Sequence, residues 1–332
     1  MQGLREIRRR IRSVKNTQQI TKAMKMVAAA RLRRAQEQVL AARPYSDKMR
    51  EMFLSIMEQS GELHHPLFEV RGDDRVLYIV LTAERGLCGA FNANIMKKAT
   101  TVDEERILRK REEHEERLRR LQTEQSDDPE AFVHDLPELE VPEALWMPVG
   151  RKGREFLSFR GYKITQDFVS ITDIPTQHLA EQIAKVAVKY FESGEVDEVY
   201  IIYSQFVSVM QQRPAVFRLL PLALPESEDI GAESAEPSDG DISQRWLPPY
   251  TYEPTPELVL HHLIPKYLTT VVLHALLETT AGELGARMTA MDSATNNAGE
   301  VIDKLTLQYN RARQASITQE LTEIVSGAEA LS

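Results

Sequence analysis

Apolar residues recur at heptad spacing near both ends of the chain, whereas the middle alternates β-branched runs with turn residues. Near the N-terminus one face steps by four and three residues, as in a coiled coil: Ile7, Ile11, Val14, Gln18, Thr21, Lys25, Ala28, Leu32, Ala35 and Val39. The middle of this face is polar, and we expect Ile20, Met24 and Val27 to widen or shift the stripe there. The helix is predicted to pass Pro44 and reach Ile56, about 50 residues and about 75 Å long.

A second heptad face lies near the C-terminus and supplies a partner for the first. Its positions are Met288, Met291, Thr295, Ala298, Ile302, Leu305, Tyr309 and Ala312, continued after a one-residue shift by Ile317, Leu321, Ile324 and Ala328. We expect a helix from about Lys266 to about Ser326, roughly 90 Å long. Globular helices average about 11 to 12 residues, so the two ends predict an antiparallel coiled coil rather than an ordinary bundle.

The middle of the chain predicts a small α/β domain. Two apolar runs read as strands buried on both faces, at residues 75–83 and 196–206, and weaker strand candidates lie at 144–150 and 162–169. Amphipathic helices are expected at 91–101 and 176–194. Strands that alternate with helices indicate a parallel sheet with right-handed crossovers. The predicted fold class is therefore α/β, a long antiparallel coiled coil of the termini plus a small Rossmann-like parallel-sheet domain.

Two polar segments interrupt this pattern. Residues 103–128 are nearly all charged with both signs interleaved, which predicts a solvated helix laced with i,i+4 pairs and not a core element. Residues 225–240 are acidic and carry Pro, Ser and Gly, which indicates a surface loop. The expected organisation is an N-terminal coiled-coil helix, a central α/β domain, an acidic Pro-rich segment and a C-terminal coiled-coil helix, at residues 1–58, 74–222, 223–257 and 258–332.

Composition excludes several classes of protein. Hydrophobic residues make up 42% of the 332 residues, enough for a core, and 41 basic against 50 acidic side chains give a net charge of −9. The lone Cys88 excludes a disulfide framework and a cysteine-based zinc site. No run approaches the roughly 18 apolar residues of a membrane span, and the basic N-terminus lacks the apolar core of a signal peptide. We expect a soluble cytoplasmic protein.

Candidate chemistry is sparse. The turn ERGLCGAFN at residues 84–92 sits between a strand and a helix, where a phosphate-binding loop would lie, and could suggest an NTPase. It lacks the lysine and hydroxyl of such a loop, so Gly86 and Gly89 are interpreted as structural turn residues. VGRKG at 149–153 could hold an anion, but a plain turn is preferred. The pairs His64–His65 and His261–His262 are read as surface or packing histidines. We expect no metal, cofactor or bound nucleotide.

The N-terminal helix is strongly basic within an acidic chain. Up to Pro44, 12 lysine and arginine side chains face only Glu6 and Glu37. Such asymmetry indicates an acidic partner surface, with nucleic acid as the alternative. No aromatic residues interleave with these cations and the helix carries a coiled-coil face, so a nucleic-acid partner is not expected. The far C-terminus, by contrast, has no basic residues, because no lysine or arginine follows Arg313.

Three long stretches carry a family resemblance: IRRRIRSVKNTQQITKAMKMVAAARLRRAQ at residues 7–36, ERGLCGAFN at 84–92, and the C-terminal run ARMTAM…SGAEAL at 286–331. They resemble the N-terminal signature, central turn and C-terminal signature of the gamma subunit of F-type ATP synthases. The resemblance implies a noncatalytic rotor on the cytoplasmic face of the cell membrane. Its coiled coil would turn inside a ring of three alpha and three beta subunits, and its α/β domain would meet the epsilon subunit and the membrane ring of c subunits. The alternative is a stand-alone coiled-coil scaffold or nucleic-acid-binding protein.

Site residues follow from the same resemblance. It implies contacts with the alpha/beta ring by residues of KAMKMVAAAR and ARQASITQ, namely Lys22, Met24, Lys25, Arg313, Gln314 and Thr318. It implies contacts with the c ring by residues of LPPYTYEP, namely Tyr250, Tyr252 and Glu253. Residues 103–128 depart from the family pattern as an expected insertion, which we interpret as a projection that touches epsilon or the peripheral stalk. The regulatory cysteine pair of the chloroplast form is absent.

Overall fold

The computed structural model describes residues 2–59, 65–124, 144–171, 174–222, 252–253 and 255–329. Two compact units divide the chain, one of residues 1–33, 87–89 and 284–332, the other of residues 34–86 and 90–283. A short 3-10 helix covers Pro66–Phe68. The remaining elements are, in order, α1 Gln2–Gln59, β1 Val76–Leu81, α2 Phe91–Glu124, β2 Leu145–Val149, α3 Arg151–Phe159, α4 Gln177–Glu192, β3 Glu198–Phe206, β4 Gln212–Leu220 and α5 Pro256–Glu329.

The sheet has the strand order β2-β1-β3-β4. Strands β2 and β3 both pair parallel with β1, which confirms the predicted parallel sheet. Strand β4 was missed, and it pairs antiparallel with β3 through a tight hairpin. Its Pro214 and its mostly half-buried pattern hid it, since proline is rare in strands except at sheet edges.

The strand predicted at 162–169 is wrong. The chain there makes only two isolated bridges along β2, Trp146 with Ile164 and Val149 with Phe168. The segment follows the β2 edge without forming a continuous ladder. The helices predicted at 91–101 and 176–194 are present as the start of α2 and as α4.

The core of the larger unit forms around the sheet and includes both terminal helices. All six residues of β1 are buried, and α4 presents an apolar face that ends at Phe191. Phe53 and Ile56 of α1 are fully buried in this cluster, as is Val272 of α5. Each such side chain stabilises the fold by about 1.5–3 kcal/mol, so the roots of both long helices are part of the sheet's own core.

The charged stretch 103–128 is not a separate solvated helix over its whole length. Helix α2 runs without a break from Phe91 to Glu124, and Asp103 and Arg106 are buried. Arg106 Nε donates to Asp103 Oδ1 at 3.1 Å, and its Nη1 donates to the carbonyl of Asp74 at 2.9 Å. The expectation that this stretch contributes nothing to the core is therefore wrong at its start. From Arg111 to Arg117 the side chains are exposed except for the half-buried His114, as expected, and residues 125–128 lie outside the described residues.

The prolines inside the two long helices do not end them. Helix α1 passes through Pro44, as predicted. Helix α5 begins at Pro256 and contains Pro265, so the start predicted near Lys266 is ten residues too late. The buried side chains Leu260, Leu263 and Ile264 explain this, because their packing outweighs the hydrogen bond that Pro265 removes. The acidic segment 225–240 lies outside the described residues.

The strand-to-helix turn at VGRKG is a packing turn. Its amides are already used, since Gly150 N donates to Phe168 O, Lys152 N to Ala83 O and Gly153 N to Thr82 Oγ1. Gly150 has a φ of 105°, and a Cβ placed there would lie 2.2 Å from the carbonyl oxygen of Thr82. Glycine is required at this point for both its backbone conformation and its lack of a side chain.

We expect Gly150→Ala to lower the free energy of unfolding by about 3 kcal/mol, from left-handed strain plus a steric clash. Gly161→Ala is the matched control. Gly161 also has a positive φ, 77°, but an added Cβ would meet nothing within 4 Å, so about 1 kcal/mol is expected. Urea unfolding midpoints of the two variants measure the difference. Equal losses would show that the Thr82 contact is unimportant.

Candidate functional site: the paired terminal helices

In the smaller unit, α1 buries the heptad face predicted from the sequence. Thr21, Ala28 and Leu32 are buried, and the other seam positions up to residue 25 are half-buried. The expected shift of the stripe towards its flank is wrong, because Ile20 and Val27 remain 60% and 53% exposed. Met24 is half-buried. The seam therefore runs straight through its polar positions.

These polar positions contact α5 directly. Lys25 Nζ donates to Asp292 Oδ1 at 2.6 Å, Thr295 Oγ1 donates to Thr21 Oγ1 at 2.8 Å, and Gln18 Nε2 donates to the carbonyl of Thr295 at 3.4 Å. We call Gln18, Thr21, Lys25, Asp292 and Thr295 the polar layer. It replaces apolar knobs by specific bonds, which is a known means of fixing register in coiled coils.

The contacts also give the direction and register of the pair. Farther along, Arg8 Nη2 donates to the hydroxyl of Tyr309, and its guanidinium lies over the Tyr309 ring. Between Lys25 and Arg8 the numbering falls by the same amount that it rises between Asp292 and Tyr309. The two helices are therefore antiparallel without a register shift over this span, as predicted.

Helix α5 extends beyond the start of α1. In this register the first residues of α1 lie opposite α5 near residue 315. From Ile317 to Ser326 every side chain of α5 is exposed, including Ile317, Leu321 and Ile324. The continuation of the seam predicted after Ala312 thus has no partner on the described part of α1. The final α5 turns present an unpaired apolar stripe.

Several cations of α1 are exposed and have no partner among the described residues. Among the described residues, no ion pair or hydrogen bond engages the side chains of Arg5, Arg9, Arg12, Lys15, Lys22 and Arg34. Other cations of the helix do have a partner, as in the contact of Arg10 with Glu6 at 2.9 Å. Exposed and unneutralised cations on one helix create a positive potential that favours an acidic partner.

The turn at residues 84–92 is compact and structural. Asn92 Oδ1 accepts from Ala83 N at 2.9 Å, and Cys88 is 2% exposed. Gly89 has a φ of 58°, and a Cβ there would lie 3.8 Å from Ala290 of α5. Sequence reasoning missed Leu87, which has a φ of 66° and is 62% exposed. No sequence signal marks a leucine for this conformation, which costs about 1–2 kcal/mol.

Comparison with known proteins decides the family. The protein-family model described as ATP synthase matches residues 3–121 and 130–331. The ATP synthase gamma chain of Pelotomaculum thermopropionicum is 43% identical over 331 residues, and that of Moorella thermoacetica is 43% identical over 332 residues, each covering 100% of both chains. This chain belongs to the ATP synthase gamma-chain family.

Solved structures agree with this family at the level of fold. The chain matches the rotor of Euglena gracilis mitochondrial ATP synthase with a TM-score of 0.59 and 19% identity, over 95% of this chain and 99% of that one. A second structure from the same organism, of its OSCP/F1/c-ring assembly, matches with a TM-score of 0.57. The long terminal helices and the small sheet are therefore features of the gamma-chain fold.

The family model covers much of the charged stretch 103–128. The family model extends through residue 121 and omits only 122–129, and curated gamma chains align over their full length. That the stretch is an insertion relative to typical bacterial members stays a prediction.

The residues implied to contact the alpha/beta ring fall in two separate places. Lys22, Met24 and Lys25 lie beside the polar layer, with Lys22 exposed and Lys25 bonded to Asp292. Arg313, Gln314 and Thr318 are exposed, and Thr318 Oγ1 donates to the carbonyl of Gln314 at 3.0 Å. The structure does not bring the two groups together, because about 31 Å of helix separates Asp292 from Arg313.

The residues implied to contact the c ring are only partly described. Tyr250 lies outside the described residues. Tyr252 is half-buried, packs on the core, and its hydroxyl donates to Ser55 Oγ of α1 at 3.1 Å. Glu253 is exposed. Tyr252 therefore fastens the chain to α1, a role that the sequence did not indicate.

The two histidine pairs noted in the sequence are only partly described. His65 Nδ1 accepts from Leu67 N as a helix cap, and the His65 ring lies 5.9 Å from that of His261. His64 lies outside the described residues, and the part of the chain that is described holds no group of three metal-ligating side chains. Within that part, no helix combines the length and apolar character needed to cross a membrane.

We expect Ala28→Asp to lower the free energy of unfolding by about 3 kcal/mol or more, because it buries an unpaired carboxylate in the seam. The adjacent Val27→Asp is the control. Ala28 is 2% exposed and Val27 is 53% exposed, so the control should lose no more than about 1 kcal/mol. Urea unfolding followed by circular dichroism measures both. A larger loss for Val27→Asp would mean that the stripe is shifted after all.

Proposed function

We propose that this chain is the central-stalk rotor subunit of an F-type proton-translocating ATP synthase. It couples proton flow through the membrane ring to conformational cycling of catalytic sites on the alpha/beta ring. The observation that carries the proposal is the antiparallel pairing of α1 with α5 in a chain that matches curated gamma chains from end to end.

A shaft acts on its surroundings through unequal contacts. A partner shifts a site between two states only by the difference in its contact energy with them. The pair of helices offers chemically distinct sides, with unpaired arginines and lysines on α1 and an Asp292-bonded side at the polar layer. Three identical catalytic subunits around it would each meet a different side, and rotation would exchange those sides in turn.

The C-terminal end of α5 is suited to rotate against the surrounding surface of the alpha/beta ring. Its last described residues carry exposed Ile317, Leu321 and Ile324, and no lysine or arginine follows Arg313. Apolar contact is non-directional, so it resists rotation less than specific charged hydrogen bonds would. The exposed Arg313 and Gln314 lie just below this tip and are placed to make such bonds with alpha and beta.

The chain itself performs no chemistry in this proposal. Catalysis belongs to the alpha/beta ring, and this subunit binds neither nucleotide nor cofactor. The sheet-bearing unit is the foot, meeting the epsilon subunit and, through Tyr250, Tyr252 and Glu253, the c ring. It is a peripheral protein on the cytoplasmic face of the membrane, and the largely exposed stretch of α2 from Arg111 to Arg117 is a candidate contact for epsilon or the peripheral stalk.

Copurification tests the assignment. A tagged chain recovered from detergent-solubilised membranes after nuclease treatment should bring down one copy of itself with three alpha and three beta subunits. Native mass spectrometry gives the stoichiometry. Recovery of the chain without alpha and beta, or with nuclease-sensitive nucleic acid, would refute the rotor assignment.

We expect Arg313→Ala to reduce ATP-driven proton pumping by about tenfold, the loss expected for one charge-assisted hydrogen bond. Removal of residues 327–332 should reduce pumping by less than about twofold, because this segment contains no lysine or arginine and only one acidic residue, Glu329. Arg311→Ala, two residues away on the same exposed helix, is the control and should pump normally. Pumping into inverted vesicles is followed by quenching of a pH-sensitive dye. An equal loss of pumping from the truncation and from Arg313→Ala would contradict the proposal that the end of α5 makes mainly non-directional contacts.

A further inference from the structure

Strand β3 is longer than its neighbour β1. The two pair in parallel from Val76 with Glu198 to Val80 with Ile202, and β3 then continues to Phe206. On its other side β3 stays paired with β4 up to Phe206 opposite Gln212. The last residues of β3 therefore have a strand on one side only. Alternate N–H groups of a strand point to the same side.

Two amides on this open side need acceptors. Ser204 lies opposite Pro214 of β4, and Ser204 and Phe206 are two residues apart on β3. Their N–H groups lie next to the place where β1 has ended. A buried amide without an acceptor costs about 1–3 kcal/mol, so another element must serve in place of the missing strand.

Helix α5 provides the acceptors. Phe206 N donates to Glu278 Oε2 at 2.6 Å, and Ser204 N donates to Thr279 Oγ1 at 3.3 Å. One turn later α5 carries Gly282, where an added Cβ would lie 3.1 Å from Ser204 Oγ. The glycine lets the helix approach the strand closely enough for two adjacent side chains to reach its backbone.

The joint is buried and electrostatically costly. Glu278 is 5% exposed and Thr279 is 6% exposed. Burial raises the pKa of Glu278, while the Phe206 amide and Arg43 of α1 partly oppose that rise. His274 Nε2 lies 3.8 Å from Glu278 Oε1, and burial together with Arg43 lowers the pKa of His274, with Asp47 opposing. A carboxyl group here costs free energy, so its presence is explained by the bond that it accepts.

We propose that Glu278 and Thr279 form a torque-bearing joint between the sheet and the C-terminal helix. The inference rests on the proposed rotor function. Torque that enters through the foot must reach α5, and apolar side chains can slide past one another because their attraction is non-directional. Hydrogen bonds to backbone amides are directional, so they resist the slippage of α5 along the end of β3. Glu278 is a positioning residue in this scheme.

The test uses the intact complex reconstituted into vesicles and measures the ratio of proton pumping to ATP hydrolysis. Glu278→Ala removes the acceptor and should lower this ratio at least threefold, while hydrolysis changes less than twofold. Glu278→Gln keeps an acceptor and should restore most of the ratio. Glu300→Ala, an exposed glutamate of the same helix, should leave it unchanged. Thr279→Val keeps the side-chain shape, removes the second acceptor, and should give an intermediate ratio.

Amide hydrogen exchange in the same complexes reports on the joint independently of coupling. Loss of a hydrogen bond to a charged group corresponds to about 10- to 100-fold faster exchange, which we expect at Phe206 in Glu278→Ala but not in Glu278→Gln. If the alanine variant is absent from the purified complex, Thr279→Val and its exchange at Ser204 decide the question.

Several outcomes would overturn the proposal. An unchanged pumping ratio in Glu278→Ala, with faster exchange at Phe206, would show that the bond exists but carries no torque. A Gln variant as impaired as the Ala variant would show that charge matters rather than the acceptor. Failure of the wild-type chain to copurify with alpha and beta would refute the rotor function instead, so the two failures are distinguishable.

Discussion

A helix as long as α1 cannot bury its own apolar face, and this constraint organises the whole chain. Its residues in the smaller unit, up to Arg33, have no core unless a second long helix runs beside them. The partner comes from the other end of the same polypeptide, in the opposite direction, so a single chain closes its own coiled coil. The α/β domain is inserted between the two partners in sequence and holds their roots.

The two long helices are packed differently in the two units of the chain. In the larger unit, Phe53 of α1 and Val272 of α5 are fully buried beside the sheet. In the smaller unit many seam positions are only half-buried and several contacts are polar. Stability is thus concentrated in the sheet core, where apolar burial is dense. The paired helices bury less apolar area, and their main contributions are an exposed surface and a fixed antiparallel orientation.

Sequence reasoning succeeded where a single periodicity decides the structure. The heptad faces gave the helix partners and their direction, and the two apolar runs gave β1 and β3. It failed where tertiary contacts override local signals. Strand β4 carries Pro214 and polar residues, and the start of the charged part of α2 is buried only because Asp74 of a preceding loop accepts from Arg106. The bond between Glu278 and Phe206 joins residues 72 positions apart, and no local pattern announces it.

The polar layer also sets how far α5 extends beyond the start of α1. Sliding α5 by one heptad, about 10 Å, would bring a glycine, Gly285 or Gly299, opposite Lys25 in place of Asp292. It would also bring Met288 or Ile302 opposite Thr21 in place of Thr295. The polar groups of the layer thus fix the register of α1 against α5, because only one register satisfies their hydrogen bonds. The distance by which the apolar end of α5 projects past the first turn of α1 is consequently set near the middle of the pair, by five side chains and not by the tip itself. Substitutions confined to the polar layer would therefore change the length of α5 that extends beyond the start of α1.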